Sequence, residues 1–515
     1  MAKYSFKLRV GLLLCLLFLV FEPRMSLAAY SGYVETKGTQ FVLNDSPFIF
    51  NGFNAYWMMH VASQPNQREK VSNVFREAAN AGLTVCRTWA FSDGGDEALQ
   101  ISPGVYNEYV FQSKASAQVP ISRREQGRKK TKAYIESKRK SLLKGAIKIQ
   151  ASVERVFSAM NLVKNPLRNR MGDQWMDDSL LVYIEKDVFN SISNDAIMHR
   201  FQNMKSRRGH IYFFILPWLG KNSVSAAAAK YKIRLILSLS NNYQDFGGRA
   251  QYVRWAKNAG AQTKSDDDFY TNELVKEYYK RHVQRVLNRI NTITGAAYKD
   301  DPIIMAWELI NEPRCQADYS GDTVNAWVQE MASHVKSIDS KHLLEVGMEG
   351  FYGDSFPDRK QYNPGYQVGT DFITTNLIEE IDFTTIHAYP DAWLSSQDDD
   401  TQMVFMRRWM TSHWRDSKTL LRKPMVFTEF GKSCKDKGFS IASRDSYMNA
   451  VYSSLYSFAR GGGIGGGLVW QILDVGMESY ADGYEIVLSD SPSTSSIISQ
   501  QSRQMTALQH MMSKP

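Results

Sequence analysis

Two glutamates, Glu312 in Trp307-Glu308-Leu309-Ile310-Asn311-Glu312-Pro313 and Glu429 in Phe427-Thr428-Glu429-Phe430-Gly431, each close a short apolar run. Paired carboxyls can divide the work of bond cleavage. One holds a proton near neutral pH and delivers it to a leaving oxygen, and the other stays ionised and attacks carbon. Environments that push the two pKa values apart assign the roles. Other apolar runs end in Arg87-Thr88-Trp89, His387-Ala388-Tyr389-Pro390 and Trp470-Gln471. Arg87 would lower the pKa of a neighbouring carboxylate, Tyr389 would hydrogen-bond it, and Asn311 would hold a sugar hydroxyl. Trp89 and Trp470 offer flat apolar faces for pyranose rings. Taken singly, a Glu is usually a solvated charge, a Trp core, and a His a structural hydrogen-bonder. The order Arg, Asn-Glu-Pro, His-x-Tyr, Glu-Phe-Gly, Trp, each at the end of a separate run, sets these residues apart.

The runs that carry them read as strands: Phe48–Phe53, Thr84–Trp89, Ile233–Leu239, Ile304–Leu309, Leu344–Met348, Phe383–His387, Met425–Glu429 and Gly467–Gln471. They are almost continuously apolar, as parallel strands covered on both faces are. Between them lie amphipathic stretches, Gln67–Ala81, Asp267–Thr292, Asp322–Ile338, Thr401–Ser417 and Ser443–Arg460, with Gln500–Met512 at the end. Eight strands with interleaved helices predict an α/β fold, a (β/α)8 TIM barrel, whose active site forms at the C-terminal strand ends. A doubly wound open sheet is the rival. It lacks support, because no glycine-rich phosphate turn follows the first strand. The glycine-rich stretch 461–467 reads as a flexible turn before the last strand.

The chain has 515 residues, 43% of them apolar, which excludes a disordered or collagen-like protein and supplies a large core. Four cysteines exclude a disulfide-dense scaffold; if Cys15 is removed, an odd number remains and at least one is unpaired within the monomer. The net charge of +9 is unevenly distributed. Residues 113–222 carry 22 Lys/Arg and 9 Asp/Glu, a net of +13, the first 28 residues carry +3, and the remainder carries −7. Lys3, Lys7 and Arg9 precede an apolar run from Val10 to Phe21, and Ser26-Leu27-Ala28 offers a cleavage site. This pattern predicts a secretory signal peptide over residues 1–28, too short to span a bilayer. Asn44-Asp45-Ser46 is a glycosylation sequon, weakened by Pro47.

Arg87, Asn311-Glu312-Pro313, His387 with Tyr389, Glu429 and Trp470 together resemble the strand-end signature of glycoside hydrolase family 5. Within it, Phe53-Asn54-Ala55-Tyr56-Trp57, the run from Cys86 to Gly95, and Ser240-Asn241-Asn242-Tyr243 resemble the plant endo-β-1,4-mannanases. The resemblance covers about residues 30–112 and 225–515. It implies a retaining double displacement with Glu312 as acid/base and Glu429 as nucleophile, carboxyls about 5–5.5 Å apart, and Arg314 on the aglycone side. It further implies substrate contacts from Arg87, Trp89, Asn311, Arg314, His387, Tyr389 and Trp470. The substrate implied is the β-1,4-linked backbone of mannan, glucomannan or galactomannan. No metal or other cofactor is expected, and no usual metal-ligand spacing is present. The expected protein is a secreted, cell-wall monomer with no nucleic-acid partner for the barrel and no stable membrane association. An endo-β-1,4-glucanase of the same family is the alternative enzyme.

The barrel domain is thus expected over residues 29–112 and 223–515, interrupted by a basic segment over 113–222. Its first part, Ser122–Lys148, has 11 Lys/Arg and 2 acids and reads as a solvated charge run. Residues 154–209 resemble the C-terminal dimerisation tail of plant hAT-superfamily transposases, without the catalytic part. The expectation is a transposon fragment read into the frame, or a gene-model artefact. An accessory binding module is the alternative. The second barrel helix is expected to survive only as Ser225–Tyr231, and an inactive carbohydrate-binding product disabled by the insertion is the reading opposed to an enzyme.

Overall fold

The computed structural model describes residues 32–107 and 221–513, apart from 65, 96–97 and 292–293. The leader and nearly all of the 113–222 segment lie outside the described residues. Eight parallel strands form the central sheet: β1 Phe50–Asn54, β2 Val85–Trp89, β3 Arg234–Ser238, β4 Ile304–Glu308, β5 Leu343–Glu345, β6 Thr384–Ala388, β7 Met425–Phe430 and β8 Ile464–Val469. They pair in the order β5-β4-β3-β2-β1-β8-β7-β6. The ends meet through backbone hydrogen bonds just outside the strands: Asp382 N–H to the Leu344 carbonyl at 2.8 Å and His387 N–H to the Glu349 carbonyl at 2.9 Å. The sheet is therefore a (β/α)8 barrel.

Every residue of all eight strands is buried, which is why their sequences are largely apolar rather than alternating, with Arg87, Glu308, Glu345, His387 and Glu429 among the exceptions. The helices of the outer ring are α1 Arg68–Asn80, α2 Lys221–Tyr231, α3 Glu273–Leu287, α4 Asp322–Ile338, α5 Phe372–Asn376, α6 Asp399–Asp416, α7 Ile441–Gly461 and α8 Pro492–Met512. A small antiparallel meander, Val34–Lys37, Gln40–Leu43 and Ser46–Pro47, precedes β1. It sends Phe41 against Phe50 and Phe383, at ring-centroid distances of 6.0 and 5.2 Å, and so plugs the end of the barrel opposite the functional strand ends.

Three sequence expectations need correction. The glycine stretch before the last strand is not a turn throughout: Ile464–Gly467 belongs to β8, which ends at Val469. A Cβ on Gly465 would stand 2.4 Å from the Phe41 ring, and one on Gly466 would stand 2.1 Å from the Phe50 carbonyl, so close packing requires glycine there. The stretch 267–292 is not one helix, because Asn272 leaves the helical conformation to cap α3, its side chain accepting from Leu274 and Val275 N–H. The final helix starts at Pro492, eight residues earlier than its apolar pattern suggests, since proline suits a first helical turn.

The second helix, expected over Ser225–Tyr231, is described as α2 from Lys221, four residues earlier. Val224, Ala227 and Ala228 are buried, and Ser225 Oγ accepts from Asn291 Nδ2 at 2.7 Å. Strands β2 and β3 pair in unbroken register from Val85 with Arg234 to Trp89 with Ser238, on either side of the long segment between them. Cys86, Cys315 and Cys434 are all free thiols. Among the described residues no helix is long and apolar enough to cross a membrane.

Candidate active site

The C-terminal strand ends converge on an open cleft of about 560 Å³. Its floor is a buried charge network centred on Arg87, the third residue of β2. The Arg87 fork clamps Glu308, the last residue of β4: Nε donates to Oε2 at 2.5 Å and Nη2 to Oε1 at 2.7 Å. Nη1 donates to Glu429 Oε1 at 2.5 Å and to Asn54 Oδ1 at 3.0 Å, while Nη2 also reaches Asn311 Oδ1 at 2.6 Å. One guanidinium thus orients two carboxylates and two amides in a geometry that a lysine could not reproduce. Burial opposes the charge on both partners, yet Arg87 holds the Glu308 carboxyl below the usual range. Glu308 and Glu429 in turn keep Arg87 firmly protonated.

Glu312 follows β4 with φ near +49°, a left-handed conformation that disfavours side chains and is seen at functional sites. Its N–H donates to the Gly347 carbonyl at 2.8 Å, and that of Asn311 donates to the Ser240 carbonyl at 3.0 Å, so neighbouring strand ends fix the turn. Glu312 Oε1 lies 2.7 Å from His387 Nδ1, and the Tyr243 hydroxyl hydrogen-bonds the same carboxyl. Glu429 Oε2 accepts from the Tyr389 hydroxyl at 2.6 Å. Carboxylate oxygens of Glu312 and Glu429, with a His387 ring nitrogen, all lie within 4.8 Å of one another.

Burial raises both carboxyls, and their proximity raises Glu429 further. Two acids so placed share one proton. The donors favour one location: Glu429 receives both Arg87 N–H and Tyr389 O–H, each favouring the anion, whereas Glu312 receives the Tyr243 hydroxyl and, among the described residues, feels the Arg314 charge only from beyond hydrogen-bond range. Burial and then the Arg87 charge push His387 down to about 3, so its ring is neutral beside Glu312. The arrangement supports one protonated and one ionised carboxyl facing the same small volume.

Of the aromatic residues, Trp470 lies on the cleft wall, stacked on Tyr56 at 5.6 Å and 7° between planes, its Nε1 donating to Asp482 Oδ2 at 2.6 Å. Its peptide bond to Gln471 is cis. Trp89 also lines the cleft but is 4% exposed, with its ring 4.9 Å from the Arg87 guanidinium carbon. It covers the charge network more than it presents a face to ligand. Arg314 lines the cleft beyond Glu312 and pairs in bidentate fashion with Glu349, at 2.8 and 2.6 Å.

All nine sequence-predicted site residues therefore meet in one place. They come from strands two, four, six, seven and eight; the ends of strands one and three entered the sequence analysis only as motifs of the resemblance, and that of strand five not at all. The same strand-end rule applied to β1, β3 and β5 would have found Asn54, Asn241 with Tyr243, and Glu349. Asn54 Nδ2 donates to the Thr428 carbonyl at 2.7 Å, and Asn311 Nδ2 donates to Asn241 Oδ1 at 3.1 Å. Asp482 carries no such signal, since it lies in a loop after β8.

A family model described as GH family 5 beta-mannosidase-like matches residues 217–484. Mannan endo-1,4-beta-mannosidase 5 of Solanum lycopersicum is 50% identical over 482 residues, covering 93% of this chain and 91% of that one. Mannan endo-1,4-beta-mannosidase 1 of Oryza sativa subsp. japonica is 43% identical over 487 residues, covering 94% and 88%. Among solved structures, the endo-1,4-beta-mannanase of Rhizomucor miehei is 26% identical with a TM-score of 0.59, covering 92% of this chain and all of that one.

Proposed function

Because the chain belongs to glycoside hydrolase family 5, we propose that it cleaves internal β-1,4 bonds of mannan, glucomannan or galactomannan with retention of configuration. The observation that carries this reading is the pair Glu312 and Glu429, with carboxylate oxygens within 4.8 Å. That spacing suits a retaining enzyme, whose carboxyls stand about 5–5.5 Å apart, better than an inverting one, whose carboxyls stand about 6.5–9.5 Å apart.

In the first step Glu429 Oε attacks the anomeric carbon as the Glu312 proton passes to the glycosidic oxygen. The aglycone leaves and a glycosyl ester of Glu429 remains. In the second step Glu312, now ionised, takes a proton from water, the water oxygen attacks the anomeric carbon, and the ester bond to Glu429 breaks. Arg87 and Tyr389 hold Glu429 in its attacking orientation, which removes the orientational cost from the first step. Asn311 is fixed by Arg87 and Asn241, where it would meet the sugar 2-hydroxyl. Trp470 supplies the stacking wall, and Arg314 with Glu349 supplies the polar wall on the aglycone side.

The leader supports secretion to the cell wall, and the barrel would act there as a monomer. Residues 113–222, apart from Lys221 and Asn222 at the start of α2, lie outside the catalytic unit in this reading, since all eight strands and every cleft residue named above lie elsewhere in the chain. Proton NMR of the freshly released reducing end checks the mechanism: the β-anomer appears first, whereas initial release of the α-anomer contradicts retention. Side-by-side digestion of mannan and cellulose oligosaccharides separates the mannanase from its glucanase alternative, and preference for the cellulose series would overturn the substrate assignment.

A further inference from the structure

Beneath the reacting pair lies a fourth carboxyl that the proposed chemistry does not use. Glu345 ends β5 directly beside Glu308 in the parallel register, and both are fully buried. Glu345 Oε2 accepts from the Gly347 N–H at 2.5 Å and, more distantly, from Thr385 Oγ1 at 3.4 Å. Its other oxygen, Oε1, is buried with no N–H or O–H donor, and the hydrogen bond the carboxyl makes beyond these is to the carboxyl of Glu308. Two carboxyl groups in hydrogen-bond contact within a dry interior require a proton between them. Glu308 is the one fitted to be the anion, because it receives both arms of the Arg87 fork and the Ser238 hydroxyl at 2.5 Å. Among the described residues no cation touches Glu345.

The geometry points to Glu345 as a positioning residue whose retained proton keeps Glu308 an anion and thereby aims Arg87 at Glu429. The charge count supports this. Arg87 already faces two anions, Glu308 and Glu429, with Glu312 beyond and His387 neutral. A third anion in contact with Glu308 would draw the guanidinium down into the barrel and away from Glu429. Gly347 adds a steric reason: a Cβ there would lie 3.0 Å from Glu308 Cδ and 2.2 Å from the Ile310 carbonyl, so the loop after β5 packs tightly over the pair. Burial and the Glu308 charge both push the Glu345 carboxyl well up, in the same sense.

The inference rests on the proposed glycosidase reading for its kinetic consequence but not for its spectroscopic one. The test compares the wild-type chain with Glu345→Gln and Glu345→Leu. Infrared difference spectra of wild type against E345Q at neutral pH should show the carbonyl stretch of a protonated carboxylic acid in the wild type. In E345Q the amide N–H replaces the acid O–H toward Glu308, and kcat on mannan oligosaccharides should fall no more than about threefold. E345L removes the donor, so kcat should fall about tenfold or more at nearly constant KM, with the acidic limb of the kcat profile moved to higher pH. An absent acid band, or E345Q as impaired as E345L, would overturn the assignment. If E345L does not fold, the acid band and E345Q decide alone. A wild-type protein that shows the band yet cleaves no mannan supports the Glu345 assignment and removes the proposed substrate instead.

Discussion

Replacing Arg87 with methionine would leave Glu308 and Glu429 buried with no counter-charge. Breaking a buried pair from one side typically costs about 3–5 kcal/mol, so urea denaturation of R87M should show a loss of that order together with lost activity. R87K keeps the charge but not the fork, and should recover part of the stability while activity stays low. For Glu312 the expected signature is leaving-group dependence. E312Q should slow hydrolysis of mannan oligosaccharides about 10²–10⁴-fold, and much less for aryl glycosides whose phenolate needs no proton. Equal losses on both substrates would remove the acid role. At this scale the site was legible wherever a chemically unusual residue followed an apolar run, as with Asn311-Glu312-Pro313 or Glu429. Glu308 and Glu345 were not singled out as site residues, because an acid inside a strand carries no signal of its partner until the barrel closes and brings Arg87 across from β2.

The helices can be tested where a single side chain holds a boundary or a layer. Asn272 caps α3 by accepting from Leu274 and Val275 N–H at 3.1 and 3.3 Å, so N272A should cost about 1 kcal/mol in chemical denaturation. Trp327 on α4 is 1% exposed and packs on Phe269, Tyr270 and Tyr279 with ring centroids 5.1–5.6 Å away. Its truncation to alanine should cost about 3–5 kcal/mol, and a loss below about 1 kcal/mol would show that this layer does not anchor the outer ring. Strand positions were readable because burial on both faces leaves mostly apolar residues in each run. The helix Gly248–Asn258 was not anticipated, although Tyr252, Val253 and Ala256 are buried on it. Its start at two glycines with positive φ reads in sequence as a loop, and the tight packing of Gly247 against the Asp93 carbonyl and of Gly248 against the Tyr243 carbonyl explains them.

Across the whole molecule, the net charge proves a poor guide to function, since the excess of positive charge falls in the leader and in 113–222, not in the barrel that holds the cleft. Sequencing the mature transcript over residues 105–235 should return a message without that block. A message that retains it would make the block part of the translated protein. Acid stability tests the packed interior in another way. His413 is fully buried between the Trp409 and Gly350 carbonyls; burial outweighs these two acceptors, which favour the charged ring, and pushes it from 6.5 down to about 4. The folded chain therefore leaves it neutral where the unfolded chain takes up a proton. Its contribution is complete above pH 6.5 and is lost as pH falls toward 4. Wild type should lose stability relative to H413Q as pH falls across that window, and parallel curves would contradict the shift. The most direct test of the central claim is the release of reducing ends from galactomannan by the purified, folded protein and by E429A. Steady release by the wild type and none by E429A is the expected result; a folded wild type that releases nothing, or an E429A variant that releases as much, would contradict cleavage through Glu429.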